Sequence, residues 1–397
     1  MTDYLDCLKS ARYGACVVAA CLVLGCTTPQ SEPAAGGQAQ FTPTEQLGKL
    51  LFFDTTLSTP SGQSCATCHS PDAGFGDPVQ QLPVSRGAHP DRFGNRNDLT
   101  AAYAAFVPPL RFDEDEDMWV GGLFWDGRAA DLAEQAKGPP LNPLEMANPD
   151  VETITEALRV APYRDLFLEV FGDDALDDAA RAFDLMADAI AAYEATSELS
   201  PFDSKYDLFL AGEVQLSEQE SRGLVLYESE AKGNCAACHP NRPGADGSPP
   251  LFTDHTYDNL GVPKNPENPF YSLPPEFNPD GHRYVDLGLG ATVDDPDMYG
   301  MFRVPTLRNA ALTQPYMHNG VFKTLYQAVA FYNSRDVAPW PAPEWPENVN
   351  RDELGDLGLT TQEIEDIVAF LRTLSDGYRS RRERQDGKTV GQQGARP

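Results

Sequence analysis

Ser64-Cys65-Ala66-Thr67-Cys68-His69 in the first half of the chain and Asn234-Cys235-Ala236-Ala237-Cys238-His239 in the second decide how this protein folds. Two thiols three positions apart on one helical turn reach the two vinyl groups of a haem. The adjoining histidine then lies beneath the iron and supplies an axial nitrogen. A single CxxCH also fits a zinc site or a thioredoxin-like redox pair. Here there are two copies, each shortly after a similar helical segment, and neither has the βαβ setting that a redox motif requires. The segment before the first copy opens Gly48-Lys-Leu-Leu-Phe-Phe-Asp, and that before the second opens Gly223-Leu-Val-Leu-Tyr-Glu-Ser. The repeat implies two small units, each with its own covalently attached haem c held by Cys65, Cys68 and His69 or by Cys235, Cys238 and His239.

Outward from these motifs the pattern is mainly helical. Ser217-x-x-Glu220 is a capping box for the helix that leads to the second motif, and Thr44 is placed to cap the first. Residues 179–199 contain no Gly or Pro, and Phe183, Met186, Ile190 and Tyr193 share one helical face, a stripe best read as core. Ser200–Gly212 reads as a connector, which divides the chain into domains over 43–200 and 201–377. A second capping box, Thr360-x-x-Glu363, opens a closing helix with Ile364, Ile367, Val368, Leu371 and Leu374 on one side. The expected fold is mainly α: two cytochrome c-like haem domains with long connecting loops. Those loops include the acidic run Asp113–Asp117, residues 263–283, and residues 336–358, where Trp340 and Trp345 are placed to pin the loop to the body.

The 397 residues carry 60 acidic and 30 basic side chains, a formal net charge of −30. Such a surface repels nucleic acid and steers a basic protein partner. At the N-terminus, Lys9 and Arg12 precede an apolar stretch, Tyr13 to Leu24, too short to span a bilayer comfortably. Val23-Leu24-Gly25-Cys26 resembles a lipobox. Residues 1–26 are therefore expected to be a lipoprotein-type signal, 27–42 a tether, and 378–397 a disordered tail. This places the protein in the periplasm, touching a membrane only through a lipid on Cys26.

Six histidines bear on the iron ligation: His69, His89, His239, His255, His282 and His318. Two are proximal ligands. The other four are candidates for a distal position, beside Met298, Met301, Met317 and the tyrosines. An iron closed on both faces only moves electrons, whereas one with an open face can bind a small ligand.

Several separated motifs in order resemble the bacterial di-haem cytochrome c peroxidase/MauG family over roughly residues 45–375. They are Cys65-Ala-Thr-Cys-His69, Phe124-Trp-Asp-Gly-Arg128, Glu134-Gln-Ala136, Asn142-Pro-Leu-Glu-Met146, Cys235-Ala-Ala-Cys-His239, Pro305-Thr-Leu-Arg-Asn309 and Leu312-Thr-Gln-Pro-Tyr-Met-His318. The resemblance implies reduction of hydrogen peroxide at the first haem. Glu145 matches a distal carboxylate that takes a proton from one peroxide oxygen and delivers it to the departing one. Gln135 matches a distal amide, and Trp125 matches an aromatic relay between the haems. Electrons would come from a donor cytochrome c or copper protein, or from a protein substrate. The alternative from another class is a di-haem electron carrier without peroxide chemistry.

The resemblance also implies a calcium ion on Asn97 and the carbonyls of Thr313 and Pro315, hard oxygen donors that suit it. Fourteen residues beyond His318, where ordinary members carry a Met ligand for the second haem, stands Tyr332, as in MauG-like members. A phenolate would stabilise the ferric state of that haem; the alternative is that Tyr332 only packs nearby and Met298 or Met301 ligates. His89 stands where activation-dependent peroxidases carry a loop histidine that ligates the first haem at rest, or it is a solvent-exposed loop residue. His255 and His318 match family positions and are expected to be hydrogen-bonded structural residues. One departure stands out: Asn97-Asp-Leu-Thr replaces the usual Asn-Ala-Pro-Thr.

Overall fold

Thr42 and Glu45 set the start of the folded body. In this computed structural model, which describes residues 41–244 and 247–378, the Thr42 side chain accepts from the Glu45 amide while the Glu45 carboxylate accepts from the Thr42 amide at 2.7 Å. The cap is therefore Thr42 rather than Thr44, because Pro43 suits the first helical position and Glu45 the third. The leader with Cys26, residues 27–40 of the tether and the tail from 379 lie outside the described residues. Among the described residues no helix is long and apolar enough to cross a membrane.

The α-helices follow in chain order as α1 Pro43–Phe52, α2 Cys65–Cys68, α3 Leu132–Ala136, α4 Gly138–Leu141, α5 Val151–Val160, α6 Arg164–Phe171, α7 Ala179–Glu194, α8 Lys205–Leu210, α9 Glu218–Glu228, α10 Leu289–Val293, α11 Leu325–Ser334 and α12 Thr361–Arg372. Strand structure is confined to two short antiparallel pairs. In one, β1 Arg111–Asp113 meets β2 Met118–Val120, so the acidic run forms a hairpin turn. In the other, β3 Tyr257–Asp258 meets β4 Phe302–Arg303. The chain has the two mainly helical cytochrome c-like halves that the repeat implies.

Each half is built on one crossing. The helix that leads into the CxxCH turn packs against the last helix of its half: α1 on α7, and α9 on α12. A glycine sits at each contact. A Cβ on Gly48 would lie 1.8 Å from the Ala189 carbonyl oxygen, and one on Gly223 would lie 1.9 Å from that of Asp366. The backbones touch there, and no side chain fits. Aromatic edges flank both crossings, Phe52 against Tyr193 at 5.3 Å and Tyr227 against Phe370 at 5.0 Å.

The stripe Phe183, Met186, Ile190 and Tyr193 is buried, and α7 stops at Glu194, short of Leu199. Thr196 ends it by turning its hydroxyl back onto the Tyr193 carbonyl. One apolar core runs from Leu47 to Leu199, and a second from Tyr206 to Leu374. The stretch 200–212 is more than a connector: Ser204 and Asp207 form a capping box that starts α8 within it.

The seam between the halves is polar. Arg308 is fully buried, forks onto Asp207 of its own half at 2.8 and 3.0 Å, and lies against the ring of Tyr103 from the first half and that of Phe202. Arg96 reaches Asp126 and Asp286, each at 2.7 Å. Burial opposes ionisation of Asp286, yet Arg96 holds its carboxyl down at about 2. In the loop over 336–358, Trp340 donates to Ser334 and packs on Phe331, while Trp345 sets its edge on Tyr299.

Candidate active site

Ser64 and Thr67 form the box that nucleates α2, a single turn that carries Cys65 and Cys68 into a cavity of about 270 Å³. His69, Trp125, Gln135 and Glu145 line the same cavity. Glu145 arrives there through the turn that follows α4. Asn142 caps that turn by accepting from the Leu144 amide at 3.0 Å, and its amide nitrogen donates to Glu145 Oε1 at 2.9 Å. Burial pushes the Glu145 carboxyl above its usual range, while Arg128, His69 and Asn142 pull it back. Gln135 rides on α3, which Asp131 caps through the Glu134 amide. The structure thus brings the three sequence-derived candidates, Glu145, Gln135 and Trp125, to one wall-to-wall site with the first CxxCH.

The second motif opens as a short 3₁₀ turn, Cys235–Ala237, facing a cavity of about 200 Å³. His239 Nδ1 bonds the Phe252 carbonyl at 2.8 Å. Tyr332, on α11, lines this cavity, and its hydroxyl makes no hydrogen bond to a described residue. Burial pushes the Tyr332 hydroxyl well up, with Asp258 adding to the shift and Arg335 opposing it. Met298 and Met301 do not line the cavity; Met317 does. Burial likewise lifts the thiols of Cys65, Cys235 and Cys238 to about 12. Among the described residues no group of three His, Cys, Asp or Glu side chains is arranged to chelate a metal.

Trp125 borders both cavities. It is 9 % exposed, and its indole nitrogen donates to the Asn97 carbonyl at 2.8 Å, which fixes the ring. Arg303 also borders both. It is buried, donates from Nε to the Phe124 carbonyl, and meets no carboxylate among the described residues. A buried guanidinium without a counter-charge is costly unless an anion joins it.

His255 Nδ1, in the first cavity, and His318 Nε2, in the second, are buried with no hydrogen-bond partner. They were expected to be hydrogen-bonded. Each instead faces a cavity wall; His318 lies flat on Phe302 with ring centres 3.7 Å apart, and its Nε2 stands 3.8 Å from Glu344. Burial and Arg303 lower His255 to about 3, which keeps it neutral. Paired thiols, an axial histidine and orphaned cationic and polar groups in each cavity fit a haem with its propionates.

Comparison with known proteins agrees with this geometry. A sequence profile described as di-haem cytochrome c peroxidase matches residues 42–215, and one described as cytochrome c matches residues 220–375. The chain is 42% identical over 380 residues to the methylamine utilization protein MauG of Paracoccus denitrificans, covering 89% of this chain and 96% of MauG. The chain belongs to the di-haem cytochrome c peroxidase/MauG family. It is 34% identical over 350 residues to the cytochrome c551 peroxidase of Pseudomonas aeruginosa, covering 87% of this chain and 83% of that one. The crystal structure of the di-haem peroxidase BthA from Burkholderia thailandensis superposes with a TM-score of 0.74 at 35% identity, covering 84% of this chain and 86% of BthA. As a family member the chain is a peroxide-dependent oxidoreductase carrying two haem c groups.

Other candidates from the family pattern fall less neatly into place. His89 does not line the first cavity. Its loop docks instead on the Glu145 turn: the Ala88 amide donates to the Glu145 carbonyl at 2.7 Å, and a Cβ on Gly87 would lie 2.2 Å from the Leu144 carbonyl. Asn97, Thr313 and Pro315 come together at the first cavity. There the Asn97 amide nitrogen donates to the Pro315 carbonyl at 2.7 Å, so a half-turn of that amide is needed to present oxygen to a cation.

Two buried carboxyls at this site escaped the sequence. Glu194 ends α7, lines the first cavity with Oε2 unpartnered, and is pushed by burial to about 7. Its place four residues after Ile190, at the end of an apolar stripe, is the signal that marks it. Asp98 lines the same cavity; burial, Asp77 and Glu145 raise its carboxyl well above the ordinary range. Its signal is the departure from Ala at that position of the family pattern.

Proposed function

We propose that this family member reduces hydrogen peroxide at the haem on His69, while the haem on His239 passes electrons to it past Trp125. The observation that carries this assignment is Glu145. The first cavity contains a carboxylate, Glu145, held by Asn142, with an amide, Gln135, in the same lining, and these two residues match the family's distal pair. The bound haem supplies the electrons that cleave the O–O bond. Glu145 accepts the proton of the oxygen that binds and returns it to the oxygen that leaves, so the leaving group departs as water. Gln135 donates from its amide to the bound oxygen and orients it. Asn142 keeps Glu145 from swinging out. Arg303 and His255 offer charge and hydrogen bonds to propionates.

For the His239 haem, Tyr332 is the protein ligand of this proposal. The support is its place in the second cavity, with a hydroxyl free of protein partners, while Met298 and Met301 lie elsewhere. A phenolate there lowers the potential of that haem and favours oxidation of a protein substrate, as a MauG-like role requires, over acceptance of electrons from a cytochrome c or copper protein. Asn97, Thr313 and Pro315 would hold calcium at the first cavity. The N-terminal leader would deliver the protein to the periplasm, lipid-anchored through Cys26.

The test is a peroxide titration of the purified di-ferric protein with spectra recorded through the reaction. A high-spin ferric haem that responds within the mixing time, and that Glu145→Gln silences while both haems stay attached, is the expected result. Two low-spin haems inert to peroxide would reduce the protein to an electron carrier.

A further inference from the structure

The two proximal histidines differ in what stands behind them. His239 Nδ1 has one short partner, the Phe252 carbonyl at 2.8 Å. The nearby carboxylate of Asp254 makes no hydrogen bond or ion pair with His239; its Oδ1 accepts from the Thr256 amide at 2.9 Å and hydroxyl at 2.8 Å. His69 Nδ1 is placed between two acceptors at equal distance, the Phe75 carbonyl at 3.2 Å and Asp98 Oδ2 at 3.2 Å. Its N–H points at the carbonyl, and Asp98 Oδ2 is buried beside it without a hydrogen bond of its own. A buried carboxyl oxygen with no donor is costly, and the nearest donor available is this imidazole. A small rotation of either side chain moves the N–H from the carbonyl onto the carboxylate.

We propose that Asp98 is a positioning residue that takes the Nδ1 proton of His69 in hydrogen bond once the haem fixes the imidazole, and so makes this axial ligand more basic than its counterpart on the other haem. The inference rests on the assignment of His69 as the ligand of the peroxide-reducing haem. A carboxylate behind a ligating histidine fixes the tautomer and raises the electron donation of the other ring nitrogen. Stronger donation favours the oxidised iron and weakens an O–O bond bound opposite, the same lever that an anionic axial ligand applies in other haem proteins. The first haem gains this from its proximal side while Glu145 and Gln135 act on its distal side. The second haem has a carbonyl hydrogen-bonded behind its histidine, and Asp254 acts on that ring only through space.

The experiment compares the holoprotein with Asp98→Asn and Asp98→Ala by spectroelectrochemistry and by resonance Raman of the ferrous state. Asp98→Ala removes the polar group altogether, so it keeps the test alive where the Asn variant folds poorly. The expected result is a rise in the potential of the His69 haem with that of the His239 haem unmoved, and a fall in the iron–histidine stretching frequency of the His69 haem in both variants. The stretch separates a hydrogen bond from a distant charge, which moves the potential alone. A mode present in the native protein and unchanged in both variants overturns the inference. Absence of any five-coordinate iron–histidine mode in the native protein overturns the underlying assignment of the open haem instead.

Discussion

The two halves share a scaffold and differ in what surrounds it. Gly48 against Ala189 and Gly223 against Asp366 are the same backbone contact made twice, and each scaffold delivers a CxxCH turn into a cavity. The first cavity then collects three buried carboxyls, Asp98, Glu145 and Glu194, with Asp77 close enough to raise that of Asp98. The second sets Tyr332 among apolar side chains, with the carboxyls of Asp258, Asp286, Glu344 and Glu353 also in its lining and no counterpart of the Glu145–Asn142 bond beside Gln135. What the difference teaches is that a common haem-holding frame leaves function to the residues that close the cavity's far side.

The largest effect that separates the halves is expected at Glu145. Glu145→Gln is expected to lower peroxide turnover by about 10²–10⁴-fold, the usual contribution of a positioned acid–base group, with the spectrum of the His239 haem unchanged. The proton-accepting form of Glu145 exists only above its raised pKa. Turnover is therefore lost as pH falls through a range higher than that of a free glutamate, which kcat/KM measured against pH checks. An acid limb at the ordinary carboxylate range would detach Glu145 from the chemistry.

Next comes Arg308, which pairs with Asp207 in the second half and lies against Tyr103 of the first. Arg308→Met strands the Asp207 carboxylate in a buried site, at a cost of about 3–5 kcal/mol, read from the denaturant midpoint. Loss of one haem's signal before the other during that unfolding would show that the halves fold separately.

Tyr332→Met turns the second cavity toward the ordinary peroxidase pattern. The potential of the His239 haem is expected to rise on the order of a tenth of a volt or more, within the range that axial ligands span, and that of the His69 haem to stay put. No shift at either haem would leave Tyr332 a packing residue.

The smallest contrast tests the shared frame. Gly48→Ala and Gly223→Ala each overpack a backbone contact and are expected to cost about 1–3 kcal/mol, by similar amounts. A cost at one crossing only, measured by thermal or denaturant unfolding, would mean that the repeat is one of sequence and not of packing.

The repeat, the caps at Ser217 and Thr360, and the stripes on α7 and α12 were legible because each depends on residues close in sequence. The cap at Thr42 was misplaced by two residues, since Pro43 decides it. The short helix α8 hid inside a stretch that looked like a connector. His255 and His318 defied their expected role because hydrogen-bond satisfaction is a property of neighbours, and theirs come from distant segments. Asp98 and Glu194 left only faint sequence signals, a departure from the family pattern and a place at the end of an apolar stripe, because lining a cavity depends on distant neighbours too.

By itself the sequence determined that two haem c groups are attached, that the halves repeat, and which family they follow. Covalent attachment needs only a local spacing of two thiols and a histidine. Tertiary structure alone decided that Glu145, Gln135 and Glu194 meet in the first cavity, that Trp125 borders both cavities, that Tyr332 faces the second one while Met298 and Met301 do not, and that Asp98 stands behind His69. Those are relations between residues far apart in the chain, set by how the loops pack over two nearly equivalent helical frames.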